Sequence, residues 1–388
     1  MNSKKLRNTV FILHRYLGLV LGLVLIIVGL TGSLLVFQHE ISDFILHQQI
    51  EKITPQGRSL PIATILERVQ THYAQQPDIT ARRVYLPATS DEPINIYLKS
   101  KTDEWAIVYV NPYTGAVLGD SLSGQDIWQR FLTKVYELHY ALLAGDFGIK
   151  LVGVVGLLTC ILIITGIFLW SGWRKLIAGF KIKWNAHPKR VSFDIHKVAG
   201  IVTAIFLFLT FFTGFCWNLG KIARPIIYAV TFSSMPADDA KSSPVANKSP
   251  LPFSDRFLEV ADAALPEFRT IYVALPADSD EPNGAFIIRK SSSPHSNIWD
   301  SSVFIDSYSG KILRVDNGLT ASLGTKLENA FGPLHYGTFW GLPSRILYVF
   351  VGLAPLILFI TGFTMYRYRY RAKSDRTTKI RDFTTTGK

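Results

Sequence analysis

Apolar residues along this chain gather in four long blocks, Tyr16 to Phe37, Leu151 to Trp170, Val198 to Gly220 and Ile346 to Tyr366. Each is uncharged and about 20 residues or longer, the length a helix needs to cross about 30 Å of hydrocarbon. The first follows Lys4, Lys5 and Arg7 as a secretory signal would, but its apolar run is too long and no small-x-small cleavage site follows, so it reads as a retained anchor. The polar segments between blocks, about Gln38 to Lys150 and Lys221 to Arg345, have another rhythm. Short β-branched and aromatic runs broken by Pro, Asp and Gly predict hairpins, and Ile62 to His72 and Asp255 to Ala264 predict an early helix in each. Ser233 to Pro252, rich in Ser, Pro, Ala and Lys, has no periodicity and reads as an exposed linker. The fold class is therefore an α-helical membrane protein with four transmembrane helices, carrying two small α+β modules.

Charge orients this arrangement. Lys and Arg concentrate at the N-terminus, between Trp173 and Arg190, and in the tail from Arg367 to Lys373, so these segments read as cytoplasmic and both large polar segments as exported. The chain then divides into a first span (1–37), an exported module (38–150), a second span (151–172), a cytoplasmic loop (173–193), a third span (194–220), a linker with a second exported module (221–345), a fourth span (346–367) and a cytoplasmic tail (368–388). The net charge of +12 follows from those cytoplasmic flanks and points to the lipid bilayer, not to nucleic acid.

The two halves repeat. Phe11, His14, Arg15, Gly18, Thr31 and Gly32 match Phe193, His196, Lys197, Gly200, Thr213 and Gly214 without a gap. Leu138-His139-Tyr140 with Gly156, Thr165 and Gly166 matches Leu334-His335-Tyr336 with Gly352, Thr361 and Gly362. In the exported segments Arg83 to Leu86 and Ser90 to Pro93 answer Thr270 to Val273 and Ser279 to Pro282, and Tyr113-Thr114-Gly115 answers Tyr308-Ser309-Gly310. This predicts tandem repeats of one unit.

Chemistry narrows to histidine. Cys160 and Cys216 lie inside apolar blocks and form no CxxC, which excludes a disulfide framework and covalent c-type haem. The carboxylates Asp91, Glu92, Asp280 and Glu281 sit in turn sequences, and no nucleophile has a matched base. Four histidines are repeated: His14 and His196 at one face of the membrane, His139 and His335 toward the other. One pair per face is what two stacked haems would need, each iron held axially from both sides. Thr-Gly pairs at the same depths would leave room for a flat macrocycle, although small residues also serve ordinary helix packing. Arg15 and Lys197 offer positive charge for haem propionates, at positions where membrane anchoring alone also favours cations. His139 precedes Leu151 by a stretch of about 18 Å if helical, so the outer pair requires a break at Gly145 and Gly148 that folds the segment back. His39, at the outer end of the first span and on the face of His14, is the alternative ligand. His47, His72, His187 and His295 have no repeat partners and read as surface residues, and Tyr140, Tyr336, Trp340 and Trp170 as belt residues at the membrane boundary.

The Tyr-Thr-Gly and Tyr-Ser-Gly strand ends, a module between two spans, and the LHRYLG opening of the first span resemble the PepSY-associated transmembrane family over nearly the whole chain. The four-span, two-module form is similar to iron-regulated inner-membrane proteins and haem-containing ferrisiderophore reductases. That resemblance implies PepSY-like periplasmic modules, b-type haem in a bacterial inner membrane, for which the two histidine pairs set the expected number at two, and electron transfer to an iron(III)-siderophore for iron uptake. With no dinucleotide fingerprint and no flavin domain, the electrons would come from a separate donor, a quinol or a cytoplasmic flavoprotein. The alternative is a non-enzymatic membrane protein whose exported modules bind or regulate a periplasmic partner; histidine-bound copper or zinc in transport is a third reading, for which the spans lack carboxylates and any series of Met or Cys that would make a metal pathway.

Overall fold

The computed structural model describes residues 3–49, 52–75, 78–101, 105–121, 127–245, 248–276, 283–292 and 300–385. Ser279 to Pro282 and His295 lie outside the described residues, as does the side chain of His47. In chain order, α1 (Ser3–Leu35), α2 (Gln38–Gln49) and α3 (Ile62–His72) lead into β1 (Ile79–Tyr85), β2 (Ile94–Ser100), β3 (Trp105–Val110) and β4 (Val117–Asp120). Next come α4 (Ile127–Ala141), α5 (Gly145–Leu169), the short α6 (Leu176–Phe180), α7 (Pro188–Asn218), α8 (Gly220–Val230) and α9 (Arg256–Ala264). Strands β5 (Arg269–Ala274), β6 (Phe286–Ser291), β7 (Ser301–Ile305) and β8 (Ile312–Asp316) precede α10 (Leu323–Tyr336) and α11 (Leu342–Thr385). The chain forms two compact units, one of Met1–Gln38, Leu132–Ile226 and Phe331–Lys388, the other of His39–Phe131 and Ile227–Ala330.

The first unit is a helix bundle. Among the described residues four helices are long and apolar enough to cross a membrane, Lys4–Leu35, Gly145–Trp173, Pro188–Asn218 and Leu342–Tyr370, which makes this a multi-pass membrane protein. All four run beyond the apolar blocks of the sequence, because the polar flanks continue the same helix; His14 and His196 consequently lie well inside α1 and α7. Within the bundle α1 packs against α5 and α11, and α7 against the same two. The contacts are close because glycine stands at the crossings: a Cβ on Gly29 of α1 would come within 2.4 Å of the Gly352 carbonyl of α11, and one on Gly156 of α5 within 3.0 Å of the Phe211 carbonyl of α7. Outward faces stay apolar, with Val20, Leu23, Val202, Ile205 and Phe350 all exposed.

The break before α5 is present, and its chemistry differs from the expected one. Leu142 and Leu143 take φ of 51° and 57°, followed by Gly145 at 53°. Two leucines thus occupy the left-handed region at a cost of about 1 kcal/mol or more each. Gly148 is no breaking point; it lies in the first turn of α5, where a Cβ would meet the Ala141 carbonyl at 1.7 Å. The Asn218 side-chain amide pins the reversal by donating to the carbonyls of Tyr140 (3.0 Å) and Ile149 (3.1 Å). The turn from α10 to α11 uses Gly337 and Gly341, both with positive φ.

The second unit is built on one eight-stranded antiparallel sheet, ordered β4-β3-β2-β1-β5-β6-β7-β8. On one face α3 buries Ile65 and Val69 against Val84, Ile96 and Val108, while α9 buries Phe257 and Ala261 against Val273, Ile288 and Val303. The two expected α+β modules are therefore edge-joined through β1 and β5. That pairing sets Tyr85 opposite Tyr272 and Val84 opposite Val273. The two tyrosine rings stack at 4.6 Å. Burial, with Tyr272 and Tyr97 alongside, pushes the Tyr85 hydroxyl up to about 12, so that ring stays uncharged. The Tyr-Thr-Gly and Tyr-Ser-Gly motifs are tight turns: Asn111 and Asp306 accept from the backbone two and three residues on, and Gly115 and Gly310 supply φ of 67° and 68°.

The described residues of 233–252 lack regular structure, as expected, but they are not simply an exposed linker. Ser242 is buried, its backbone donates to Asn283 at 2.8 Å and its hydroxyl accepts from Ser307 at 2.8 Å. Leu251 donates to the Ser307 carbonyl at 2.6 Å. Composition carries no record of such bonds, because they satisfy strand-end groups chosen by the fold.

A cap also crosses between the halves of this unit. Asp255, preceding α9, accepts from the first amides of α3, Ile62 N at 2.8 Å and Ala63 N at 3.0 Å. Replacing Asp255 by Ala removes a charged N-terminal cap worth about 1 to 2 kcal/mol. Hydrogen exchange on the full chain should show faster exchange at Ile62 and Ala63 in D255A; unchanged protection there would refute the cap.

Candidate functional site

The four repeated histidines come together as two pairs, both within the bundle unit. His14 on α1 and His196 on α7 have ring centroids 6.2 Å apart with planes at 88°. His139 near the end of α4 and His335 near the end of α10 have centroids 6.1 Å apart with planes at 75°. Along α1, the stretch from His14 to Thr31, which holds His139, is about 25 Å, close to the thickness of the hydrocarbon.

Each imidazole is fixed by one Thr-Gly pair through its Nδ1. His14 Nδ1 lies 3.1 Å from the Leu162 carbonyl and 3.0 Å from Thr165 Oγ1. His196 repeats this with Leu358 (3.1 Å) and Thr361 (3.0 Å). His139 uses Val28 (3.0 Å) and Thr31 (3.0 Å), and His335 uses Thr213 Oγ1 (2.7 Å) with the Thr210 carbonyl. A carbonyl oxygen only accepts, so Nδ1 must carry the proton. The threonines agree, since the hydroxyls of Thr31, Thr165, Thr213 and Thr361 each donate to a carbonyl of their own helix and offer the ring an acceptor. Nε2 is left with its in-plane lone pair, the tautomer of a metal-ligating histidine whose other nitrogen is held by an outer partner.

The adjoining glycine makes room for the ring itself. A Cβ on Gly166 or Gly32 would approach Cε1 of His14 or His139 to 3.0 Å, and one on Gly214 or Gly362 would approach Cε1 of His335 or His196 to 3.5 Å. The sequence offered the Thr-Gly pairs as room for a macrocycle; what it did not show is the threonine's part as an acceptor facing Nδ1.

The ring spacing can be tested against a cofactor. Metal–imidazole bonds are about 2 Å, and with the ring centre about 1 Å behind the nitrogen, two imidazoles trans on one metal have centroids about 6 Å apart. Both pairs fit. Among the described residues no group of three or more His, Cys, Asp and Glu gathers as a metal cluster, so each pair offers two ligands, the number that a porphyrin iron leaves open. Around His14 and His196 lies a cavity of about 670 Å³ lined by Gly18, Gly22, Gly166, Gly200 and Gly362 and by apolar residues, a size and character usual for cofactor sites. Its polar end carries Lys4, Arg7, Arg15, Lys197 and Arg369.

The two expected propionate partners differ. Arg15 Nε is buried and has no hydrogen-bond partner. The Lys197 ammonium is engaged, 2.8 Å from the buried Asp194 carboxylate and donating to the Ala178 carbonyl at 2.8 Å. His39 belongs to the other unit, on α2. His72 and His187 are exposed; His187 caps α7 by accepting from Lys189 N at 3.2 Å. At the far pair, Trp217 lies 4.8 Å from the His335 ring and 5.7 Å from Tyr336, an aromatic contact the sequence did not single out.

Among known proteins, the family described as the PepSY-associated TM region matches residues 11–369, nearly the full chain. No curated protein matches it.

The tautomer assignment is testable. Solid-state nitrogen NMR of histidine-labelled, ligand-free protein should show four histidines protonated on Nδ1 with bare Nε2, and Thr165→Val should shift the His14 signal alone among them. Nε2-protonated rings at these positions would overturn the geometry.

Proposed function

The chain belongs to the PepSY-associated transmembrane family, and on that premise we propose that it is a bacterial inner-membrane electron-transfer protein that holds two b-type haems and reduces iron(III)-siderophore in the periplasm. The observation that carries this reading is the pair of histidine pairs, each with Nδ1 anchored, Nε2 bare and centroids 6.1 or 6.2 Å apart. The matched contacts support a tandem duplication: Gly29 meets Gly352 where Phe211 meets Gly156, and each histidine meets the Thr-Gly pair of its own half. The Lys and Arg count supports cytoplasmic termini and exported modules.

Haem, when bound, supplies reversible one-electron exchange. His14 and His196 would hold one iron and His139 and His335 the other, leaving no open position for oxygen chemistry. The carbonyl and threonine acceptors on Nδ1 raise the basicity of Nε2 and stop each ring from rotating. Apolar side chains line much of the inner site, and Arg15 offers charge to a carboxylate there. The substrate iron(III) gains one electron and becomes iron(II), and a quinol or cytoplasmic flavoprotein gives that electron up. No acid, base or nucleophile is required of the protein.

Pyridine haemochrome assay should give two haems per chain. His14→Ala or His196→Ala should remove one and leave the other spectrally intact, and His139→Ala or His335→Ala should do the converse. A colourless protein would favour the partner-binding alternative. In detergent, pre-reduced protein should be re-oxidised by iron(III)-siderophore and not by the gallium(III) complex of the same siderophore; equal effects of the two, or none, would end the reductase claim.

A further inference from the structure

Trp170, by sequence a belt residue, is buried to 8% exposure and lines the cavity around His14 and His196. Its indole N–H is buried without a hydrogen-bond partner. An orphaned buried donor costs about 1 to 3 kcal/mol, and nearby tryptophan avoids that cost: Trp173 donates to the Ile167 carbonyl at 2.7 Å. Nor can the ring turn to find solvent. A Cβ on Gly172 would meet it at 2.2 Å and one on Gly179 at 2.5 Å, while Trp173 and Phe180 close on it with centroids at 5.4 and 5.3 Å. The loop forming this clamp is tied to α7 by Lys197, whose ammonium donates to Ala178.

Trp170 stands five residues beyond Thr165, the anchor of His14, which is about 7 Å along the helix axis. Arg7 lies beside it, donating to the Leu169 carbonyl at 3.3 Å. On the other wall Arg15, next to His14, has its own buried Nε unpartnered. One cavity thus holds a metal-ligand pair and two buried N–H donors without acceptors, one of them on a clamped indole.

Resting on the two-haem reading, we propose that Trp170 Nε1 and Arg15 Nε are the donors that receive a propionate carboxylate of the haem held by His14 and His196. Each propionate carboxylate brings acceptor oxygens that these donors lack, and the cation supplies its charge. This assigns Trp170 to ligand binding and gives the Gly172–Gly179 clamp its purpose, holding an indole in one orientation.

The test uses full-length protein in detergent, with Trp170→Phe keeping a ring in the clamp while deleting the donor, and Arg15→Gln deleting the charge. Both variants should retain two haems by pyridine haemochrome, but transfer of the inner haem to a haem scavenger should accelerate about tenfold in each, with the outer haem unchanged. Protein reconstituted with haem dimethyl ester, which has no carboxylate, should release the inner group equally fast with and without W170F. Wild-type release rates in both variants would overturn the proposal, as would an equal acceleration of the ester by W170F, which would mean lost packing. A wild-type protein without haem would overturn the two-haem reading itself, an outcome distinct from either.

Discussion

An imidazole inside an apolar bundle must give its N–H to something, and the arrangement of this bundle follows from that requirement. In apolar surroundings a donor left without an acceptor costs about 2 kcal/mol or more. Here each ring reaches a main-chain carbonyl of a neighbouring helix, with a threonine hydroxyl as second acceptor. The contact demands that two helices approach within the width of one imidazole, hence glycine after every such threonine. For His139 it also demands that the chain re-enter the bundle after leaving it, hence two leucines held at positive φ. Once Nδ1 is committed, only Nε2 remains for chemistry.

The same demand explains the uneven charge of the interior. The buried Asp194 is balanced by Lys197 and Arg190, so that ion cluster is closed. Arg15 has no such closure. A cation left partly unsatisfied beside a cavity is poised for an anion, whereas a paired one holds the fold together.

Much of this was legible in the sequence. Four uncharged blocks fixed the spans, since nothing but a helix spans lipid with so few polar groups. His14, His139, His196 and His335 stood out because matching residues surround them at matching spacing, and the early helices of both large polar segments followed from apolar spacing. What stayed hidden depends on contacts between distant residues. Threonine and glycine patterning is the same whether it packs helices or clasps a ring. Leu142 and Leu143 carry no turn signature, because tertiary contacts such as that of Asn218 hold them there. Trp170 looked like a boundary tryptophan until the two glycines around it closed the space.

The joint between β1 and β5 reaches furthest. With Tyr85 opposite Tyr272 and Val84 opposite Val273, and with Leu86 donating to Ile271, the register is unchanged when the two strands are exchanged. A strand that pairs in this way is its own complement. During synthesis β1 is made long before β5, and through that interval the edge that β5 will cover stands open. Because α5 and α7 tie both strands into one chain, closing that edge is an intramolecular step, set by the length of the link and not by the concentration of the protein.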